Sequence, residues 1–308
     1  SQFTGSGFFG KGVLVTTVQR SYDQLLTSQA NASGSTAAAD SARLAKLSQL
    51  EGVFPIGSAG VGYAAGEFMN SFVDVSNNPG DASARQVVLS QAQELASRFR
   101  TAGDALSDLQ AGVSQDVRAQ VASVNSYATQ IAKLNGEIAA LKGSGQPPNQ
   151  LLDQRDQLVS KLSGLINVTT IAADDGSVGV FIGGGQNLVL GTNANTIKAS
   201  PDEFDPAKVE LKISEGGSTR KLSTDGLIGG SLAGLMRFQN EDLNAATNLL
   251  GQMATAVAGA VNKQQSLGLD LGQPAGAGAP IFSVGAGRVL SAARSEEHTS
   301  ELQSQNAI

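Results

Sequence analysis

The feature that most limits how this chain can fold is the stretch from Ala82 to Leu141, in which apolar residues recur every three or four positions. This spacing predicts a helix with an apolar seam of the coiled-coil type. At about 1.5 Å per residue, an unbroken helix would be about 90 Å long. Gly103 and Gly112 weaken a helix by roughly 1 kcal/mol each relative to alanine, so a kink or break between them is the alternative. The seam positions of the second half are Val117, Val121, Val124, Ala128, Ile131, Leu134, Ile138 and Leu141.

Other segments also have helical spacing. The first covers about residues 21–49 and is expected to end at Gly52. The second covers residues 62–75. The third covers residues 151–165, after a loop rich in glycine and proline, with Asn149 as its N-cap. A short link between this third helix and the long one predicts an antiparallel helical hairpin.

The periodicity changes at Asn167. Short β-branched runs separated by glycine-rich turns follow, and the alternation of Val209, Leu211 and Ile213 is typical of a half-buried strand. These runs predict a small antiparallel β domain. Helical spacing returns at Ser231, so the β domain is expected to be an insertion within a helical domain.

The predicted fold class is therefore α+β: an elongated antiparallel helical bundle or coiled-coil domain with an inserted small antiparallel β domain. The core is expected to consist of Leu, Val, Ile and Ala, because aromatic residues make up only 5% of the chain. The predicted domains are residues 1–166 (first part of the helical rod domain), 167–228 (inserted β domain), 229–267 (returning helix), 268–293 (irregular start of a further domain) and 294–308 (non-native tail).

Residues 294–304 resemble the translation of a common sequencing-adapter oligonucleotide, and a solvated, charged helix end is the alternative interpretation. Their sequence, Arg-Ser-Glu-Glu-His-Thr-Ser-Glu-Leu-Gln-Ser, contains His298, the only histidine of the chain. A segment of that origin carries no information about the fold. The sequence before it therefore contains no histidine.

The residue types present exclude most catalytic chemistry. Without cysteine there is no thiolate nucleophile, and without a histidine before the tail no Ser/His triad or HExxH metal site can be assembled. Gly5–Gly10 fits a G-x-G-x-x-G pattern but lacks the strand–turn–helix context of a dinucleotide site. We therefore expect no cofactor, no metal and no enzymatic activity. The net charge of −6, with no basic stripe, makes nucleic acid and anionic membranes poor partners.

Asp153, Arg155 and Asp156 lie close together on the predicted helix 151–165 and are open to two interpretations. They are either an acid/base cluster, or a surface pair or interhelical salt bridge. On a helix the two carboxylates lie off the leucine face, and nothing in the sequence places them around a pocket. The ion pair is therefore favoured, and it stabilises by about 0.2–1 kcal/mol if it is exposed.

Four motifs occur in the order found in one known family. The segments GVLVTTVQRSYD (12–23), NPGDASARQ (78–86), LLDQRDQLV (151–159) and GGSLAGL (229–235) resemble helix-start and helical blocks of the flagellar hook-associated protein FlgK family. The resemblance covers roughly residues 8–285. It implies structural or interface roles for Arg20, Tyr22, Asp23, Arg85, Asp153, Arg155 and Asp156.

The resemblance implies a structural subunit of the bacterial flagellum, located outside the cell at the hook–filament junction after type III export as an unfolded chain. Its implied partners are copies of itself in a ring, the hook protein, the junction protein FlgL and, through a region outside this sequence, an export chaperone. The family's terminal heptad helices and export signal are expected to be missing here. The alternatives are another secreted filament or phage-tail-like subunit, and an enzyme domain carried on a flagellar scaffold.

Overall fold

The structure is a computed structural model that describes residues 2–4, 7–9, 20, 23–141, 148–223, 226–270 and 272–285. Tyr22 and everything from residue 286 onward, including the adapter-like sequence, lie outside these residues. The expectations stated for them above stay predictions.

The predicted long helix is present without a break. It continues through Gly103 and Gly112 and ends where the seam ends, at Leu141. The helices in the first half of the chain are α1 (Gln24–Val53), α2 (Val61–Asn70), α3 (Phe72–Asn77), the long helix α4 (Ala82–Leu141) and α5 (Asn149–Leu165). The last of these packs against α4, as expected for a helical hairpin.

Two details differ from the sequence prediction. Residues 62–75 form α2 and α3 rather than one helix, with a turn at the intervening Ser71, whose hydroxyl donates to the Phe68 carbonyl at 2.6 Å. The prediction of Asn149 as the N-cap was wrong, because Asn149 is the first residue of α5. Pro148 precedes the helix, and its carbonyl accepts the first helical hydrogen bonds.

The strands that follow α5 form two antiparallel sheets. At the turn predicted in the second sheet, Gly216 and Gly217 have φ angles of 55° and 87°, which glycine adopts without strain. A hairpin near the start of the chain pairs β1 (Gln2–Thr4) with β2 (Gly7–Phe9). The first sheet has the order β3 (Val168–Ala172), β4 (Val178–Ile182), β5 (Gln186–Leu190), β6 (Asn193–Ala194), and the second has the order β7 (Thr196–Pro201), β8 (Val209–Glu215), β9 (Ser218–Lys221).

The returning helix begins at Ser231, as predicted. Helix α6 (Ser231–Arg237) passes through a π-helical turn, Phe238–Leu243, into α7 (Asn244–Gln265). Turns of this kind are rare and often mark functional positions. Here the turn holds the side chain of Gln239, which is only 1% exposed, against the second sheet.

One apolar core extends across helices and strands. It contains Val117 and Val124 of α4, Val180 and Ile213 of the two sheets, and Leu232 of α6, all fully buried. The seam of α4 therefore packs against strands as well as against helices. Such shared burial makes the stability of the sheets depend on the helices beneath them.

A second, smaller core joins α2, α4 and α7. Phe68, Leu95 and Val261 are buried in it. The ring of Phe68 makes edge-to-face contacts with Phe72 and Phe282, with ring centroids 5.2 and 5.4 Å apart. This geometry is favourable for aromatic pairs. Through Phe282 it packs the segment that follows α7 against the helices.

Candidate functional site

Arg20, just before α1, forms ion pairs with two carboxylates of α5. Its Nε atom lies 2.8 Å from Asp153 Oδ1, and a terminal nitrogen of its guanidinium donates to Asp156 Oδ2. Residues three apart on a helix face the same side, so both carboxylates reach one partner. Arg20 thereby fixes the lead into α1 against α5.

We expect Arg20→Met to lower the free energy of unfolding by about 0.5–1 kcal/mol, because a partly exposed ion pair contributes no more than this. Asp153 is 58% exposed, so water screens its share of the interaction. Urea denaturation at low salt and at about 1 M salt measures the effect, which should shrink at high salt. Lys133→Met, in a more exposed pair with Glu137, is the control and should have no measurable effect. A loss that stays unchanged at high salt would mean that Arg20 acts by packing.

Asp23 and Arg85 act at helix ends. Asp23 Oδ1 accepts the Leu26 amide at 3.0 Å, which makes Asp23 the N-cap of α1. Arg85, in the first turn of α4, donates from Nε to the Pro79 carbonyl at 2.8 Å. Both side chains therefore stabilise the local fold of this chain.

Arg155 is buried where α5 meets the turn between β3 and β4. It is 6% exposed, and its Nη1 atom donates to the Gly176 carbonyl at 2.7 Å and to Asn135 Oδ1 at 3.3 Å. On α5, Asp153 is rotated by about 200° from Arg155 and Asp156 by about 100°, so neither carboxylate shares the face of the guanidinium. The structure thus divides the charged block into a surface ion pair and a buried guanidinium that binds the sheet.

Three carboxamide side chains each bind both backbone polar groups of one strand residue, and we call them the amide clamps. In each clamp the side-chain oxygen accepts the strand N–H, and the side-chain NH₂ donates to the strand carbonyl, as a neighbouring strand would. The clamps are Asn125 with Ile197 (2.9 and 2.8 Å), Asn135 with Val178 (3.0 and 2.9 Å) and Gln239 with Val209 (3.0 and 3.0 Å).

Asn135 forms four side-chain hydrogen bonds, as Gln239 also does. Asn135 is fully buried, and it also donates to the Gly191 carbonyl at 2.8 Å while accepting from Arg155. Both of its N–H donors and its oxygen are therefore used. A buried network that is satisfied in this way specifies one arrangement, because any shift leaves polar groups unpaired in a low-dielectric interior.

The glycine-rich motif before and within α6 allows its backbone to touch α1. The Gly230 amide donates to the Ser35 carbonyl at 2.8 Å, and its φ of 84° suits glycine. A Cβ atom on Gly229 would lie 2.6 Å from Ser35 Oγ, and one on Gly234 would lie 2.1 Å from the Ala39 carbonyl oxygen. The motif is thus required by close helix packing.

A charged cluster lies on the second sheet. Glu210 contacts Lys212 at 2.5 Å and Lys221 at 2.8 Å, and Asp202 lies 3.6 Å from Lys221. Burial disfavours the charged form of Glu210, but hydrogen bonds from the two lysines outweigh burial and lower its pKa. The pKa of Asp202 is also lowered, because backbone N–H groups and Lys221 outweigh its burial.

We expect this cluster to make the fold less stable in acid. A carboxyl group whose pKa is lowered on folding stabilises the folded state. This stabilisation is complete above the unfolded-state pKa of about 4, and it is lost as the pH falls through the lower folded-state pKa. Lys221→Met removes a shared partner of Glu210 and Asp202, so stability should fall less steeply between about pH 5 and pH 2. Thermal unfolding across this range measures the slope, with Lys198→Met on β7 as the exposed control. Equal slopes in wild type and Lys221→Met would contradict the assignment.

The described residues contain no group of three or more His, Cys, Asp or Glu side chains that could hold a metal ion. Of the helices that the structure describes, none has both the length and the apolar character needed to cross a bilayer.

A family model described as the flagellar hook-associated protein FlgK helical domain matches residues 47–282. The chain belongs to the FlgK family. The matched range contains α4, α5, both sheets and α6, and with them all three amide clamps of this FlgK-family chain.

Curated FlgK relatives match along nearly the whole chain. Flagellar hook-associated protein 1 of Escherichia coli (strain K12) is 33% identical over 94% of this chain, and that of Salmonella typhimurium is 32% identical over 98%. The chain covers 53% and 55% of these relatives, so it spans about half of their length. A solved structure, the flagellar hook junction protein FlgK from Burkholderia pseudomallei, is 35% identical with a TM-score of 0.78, covering 84% of this chain and 47% of that one.

FlgK is a family of structural flagellar proteins. Membership in it favours a structural role over the two alternatives raised by the sequence, a phage-tail-like or other filament subunit and an enzyme domain on a flagellar scaffold. The likeness of fold, a helical domain with small antiparallel sheets, agrees with the predicted fold class.

Proposed function

We propose that this FlgK-family chain is part of a structural subunit of the flagellum, located outside the cell at the hook–filament junction, and that it acts by assembly rather than by catalysis. The observation that carries the proposal is the match of the FlgK helical-domain model to residues 47–282. The Burkholderia relative, by its title a hook junction protein, supports the same location with its similar fold.

The internal construction of the chain supports a mechanical role. Helix α4 has 60 residues. At 1.5 Å per residue it is about 90 Å long, so it can connect points this far apart in the subunit. The amide clamps hold both sheets on the helical part through directional hydrogen bonds. A sheet cannot slide along the helices without breaking these bonds, so a load applied to one part is passed to the other.

The proposed partners are further copies of the same subunit in a ring, the hook protein, the junction protein FlgL, and an export chaperone that binds outside this sequence. Nucleic acid and membranes are not among them. The acidic balance of the chain, with a net charge of −6, supports that exclusion.

We further propose that most of the residues carried over from the family resemblance act within the subunit. Arg20 binds α5, and Arg155 binds the first sheet. Asp23 caps α1, and Arg85 holds the turn before α4. Their bonds to their own chain support this role. Tyr22 keeps its sequence-based expectation of a structural or interface role.

Cells that lack their own hook-associated protein 1 provide the test. A chimera in which residues 24–267 of this chain replace the matching segment of the Escherichia coli relative is expected to restore filaments on the hooks, seen by electron microscopy. The matched control carries the Salmonella typhimurium segment at the same place. The proposal would be contradicted if the chimera were exported and stable but left the hooks bare, while the control restored filaments.

A further inference from the structure

Asn135 is followed directly by Gly136, and this is the single Asn-Gly pair in the chain. In such a pair the backbone nitrogen of the glycine can attack the side-chain carbonyl carbon of the asparagine, because glycine has no Cβ atom in the way. The nitrogen loses its proton, ammonia leaves, and a five-membered succinimide ring forms. Water then opens the ring at either of its carbonyl groups, which yields aspartate or isoaspartate. The pair is therefore a chemically labile position.

The packing of α4 on the first sheet accounts for both residues of the pair. Gly136 lies against the turn between β5 and β6, where a Cβ atom would be 3.2 Å from Cγ2 of Thr192, closer than ordinary van der Waals contact. Asn135 reaches the same sheet through its clamp, and its NH₂ group donates to the carbonyls of Val178 and Gly191 at 2.9 and 2.8 Å. Close contact with the sheet thus brings the labile pair together.

In the folded chain the reaction is blocked in three ways. The side chain of Asn135 is fully buried, which excludes the water that opens the succinimide. Its carboxamide is held by the first sheet and by Arg155, so it cannot turn toward the next backbone nitrogen. The N–H group of Gly136, in the interior of α4, is engaged in a helical hydrogen bond. Unfolding removes all three restraints at once.

The products of the reaction cannot rebuild the clamp. Aspartate has no side-chain N–H, so the carbonyls of Val178 and Gly191 lose their donor. It also places a negative charge in a buried position, where a charge is costly unless it is paired and fully hydrogen-bonded. The contact with Arg155 compensates the charge but donates nothing to the two carbonyls. Isoaspartate adds a carbon atom to the main chain, which disrupts the hydrogen-bond spacing of α4.

We propose that Asn135–Gly136 is a site of spontaneous deamidation, which folding protects and which, once modified in the unfolded chain, can no longer form the Asn135 clamp. The modification requires no enzyme and no co-reactant other than water. The lifetime of the unfolded chain therefore limits the fraction that can still fold. The site is independent of the flagellar role, because it depends only on the chemistry and packing of these two residues.

Peptide mapping by mass spectrometry tests the proposal on the full chain. The chain is incubated at mildly alkaline pH, either in buffer or in guanidinium chloride at a concentration that unfolds it. In denaturant, the peptide that contains Asn135 is expected to gain the mass difference between NH₂ and OH, and to appear as aspartate and isoaspartate forms. In buffer its deamidation should be at least about a hundredfold slower, because only rare opening of α4 exposes the pair. Equal rates in the two conditions would refute the proposal.

Asn125 is the matched control, since it is an amide clamp of the same helix but is followed by Ser126. In denaturant it should deamidate severalfold more slowly than Asn135, because the Cβ atom of the serine hinders the attack. Gly136→Ala should likewise slow the reaction at Asn135 severalfold in denaturant, where folding of the variant plays no part. Faster modification at Asn125, or no effect of Gly136→Ala, would overturn the proposal.

Refolding tests the consequence of the modification. The partly deamidated chain is transferred from denaturant to buffer, and folded chains are separated from the remainder by size-exclusion chromatography. Peptides with aspartate or isoaspartate at position 135 are expected to be depleted in the folded fraction and enriched in the remainder. Asn135→Asp, prepared without incubation, should unfold at a lower denaturant concentration than the wild type. Equal shares of modified chains in the two fractions, or wild-type stability of Asn135→Asp, would contradict the proposal.

Discussion

Gly234→Ala is expected to lower the free energy of unfolding by about 3 kcal/mol or more. The added Cβ atom would lie 2.1 Å from the Ala39 carbonyl oxygen and 2.9 Å from the Ala39 carbonyl carbon. Both atoms belong to the backbone of α1, so they cannot rotate away as a side chain can. Helices α1 and α6 must separate instead, and their buried contacts are lost. Urea denaturation followed by circular dichroism measures the change.

Gly251→Ala is the matched control, because Gly251 is also a helical glycine. A Cβ atom there meets nothing within 4 Å, so the substitution should stabilise the protein by about 0.5–1 kcal/mol through the unfolded state. The two glycines should therefore respond with opposite signs. If Gly234→Ala were neutral, close backbone packing would not explain the glycine motif.

Asn135→Ala is the second substitution with a large expected effect, a loss of about 3–5 kcal/mol. It leaves the Val178 amide and carbonyl, the Gly191 carbonyl and one bond of the buried Arg155 guanidinium without their partner. An unpaired buried polar group costs about 1–3 kcal/mol, and a charged group costs more.

Asn248→Ala on α7 is the control for that substitution, since Asn248 is exposed and a surface change of this kind stays within about 0.5 kcal/mol. Thermal unfolding of both variants gives the comparison. A loss below about 1 kcal/mol for Asn135→Ala would show that the strands do not depend on this clamp.

The long helix could be predicted from the sequence because its signals are local. The seam spacing and the Asp81 side chain, which accepts the Ser83 amide at 2.8 Å, both act within a few residues. The glycine penalties at Gly103 and Gly112 did not break α4. Packing of its apolar face against α5, α6 and the sheets outweighs losses of about 1 kcal/mol each.

The amide clamps could not be predicted because their partners are distant in sequence. Asn125 and Ile197 are 72 residues apart, and Gln239 and Val209 are 30 residues apart. The only local signal was a polar residue beside buried apolar ones, such as Asn125 after Val124. That pattern also fits a residue on the surface of a helix.

The charged block on α5 was predicted as one group, and the geometry of a helix divides it. Each residue is rotated by about 100° from the previous one, so Arg155 points away from Asp153 by about 200°. Asp156, three residues from Asp153, returns to the same side. The sequence could show that the charges are close along the chain, but the sheet that covers Arg155 decides which of them is buried.

Helices and sheets form one rigid unit, with a shared core and the amide clamps between them. Differential scanning calorimetry of the chain tests this claim. We predict a single transition whose calorimetric and van't Hoff enthalpies agree, as expected when all parts unfold together. A separate transition at lower temperature in which the strands unfold while the helices remain would contradict this claim.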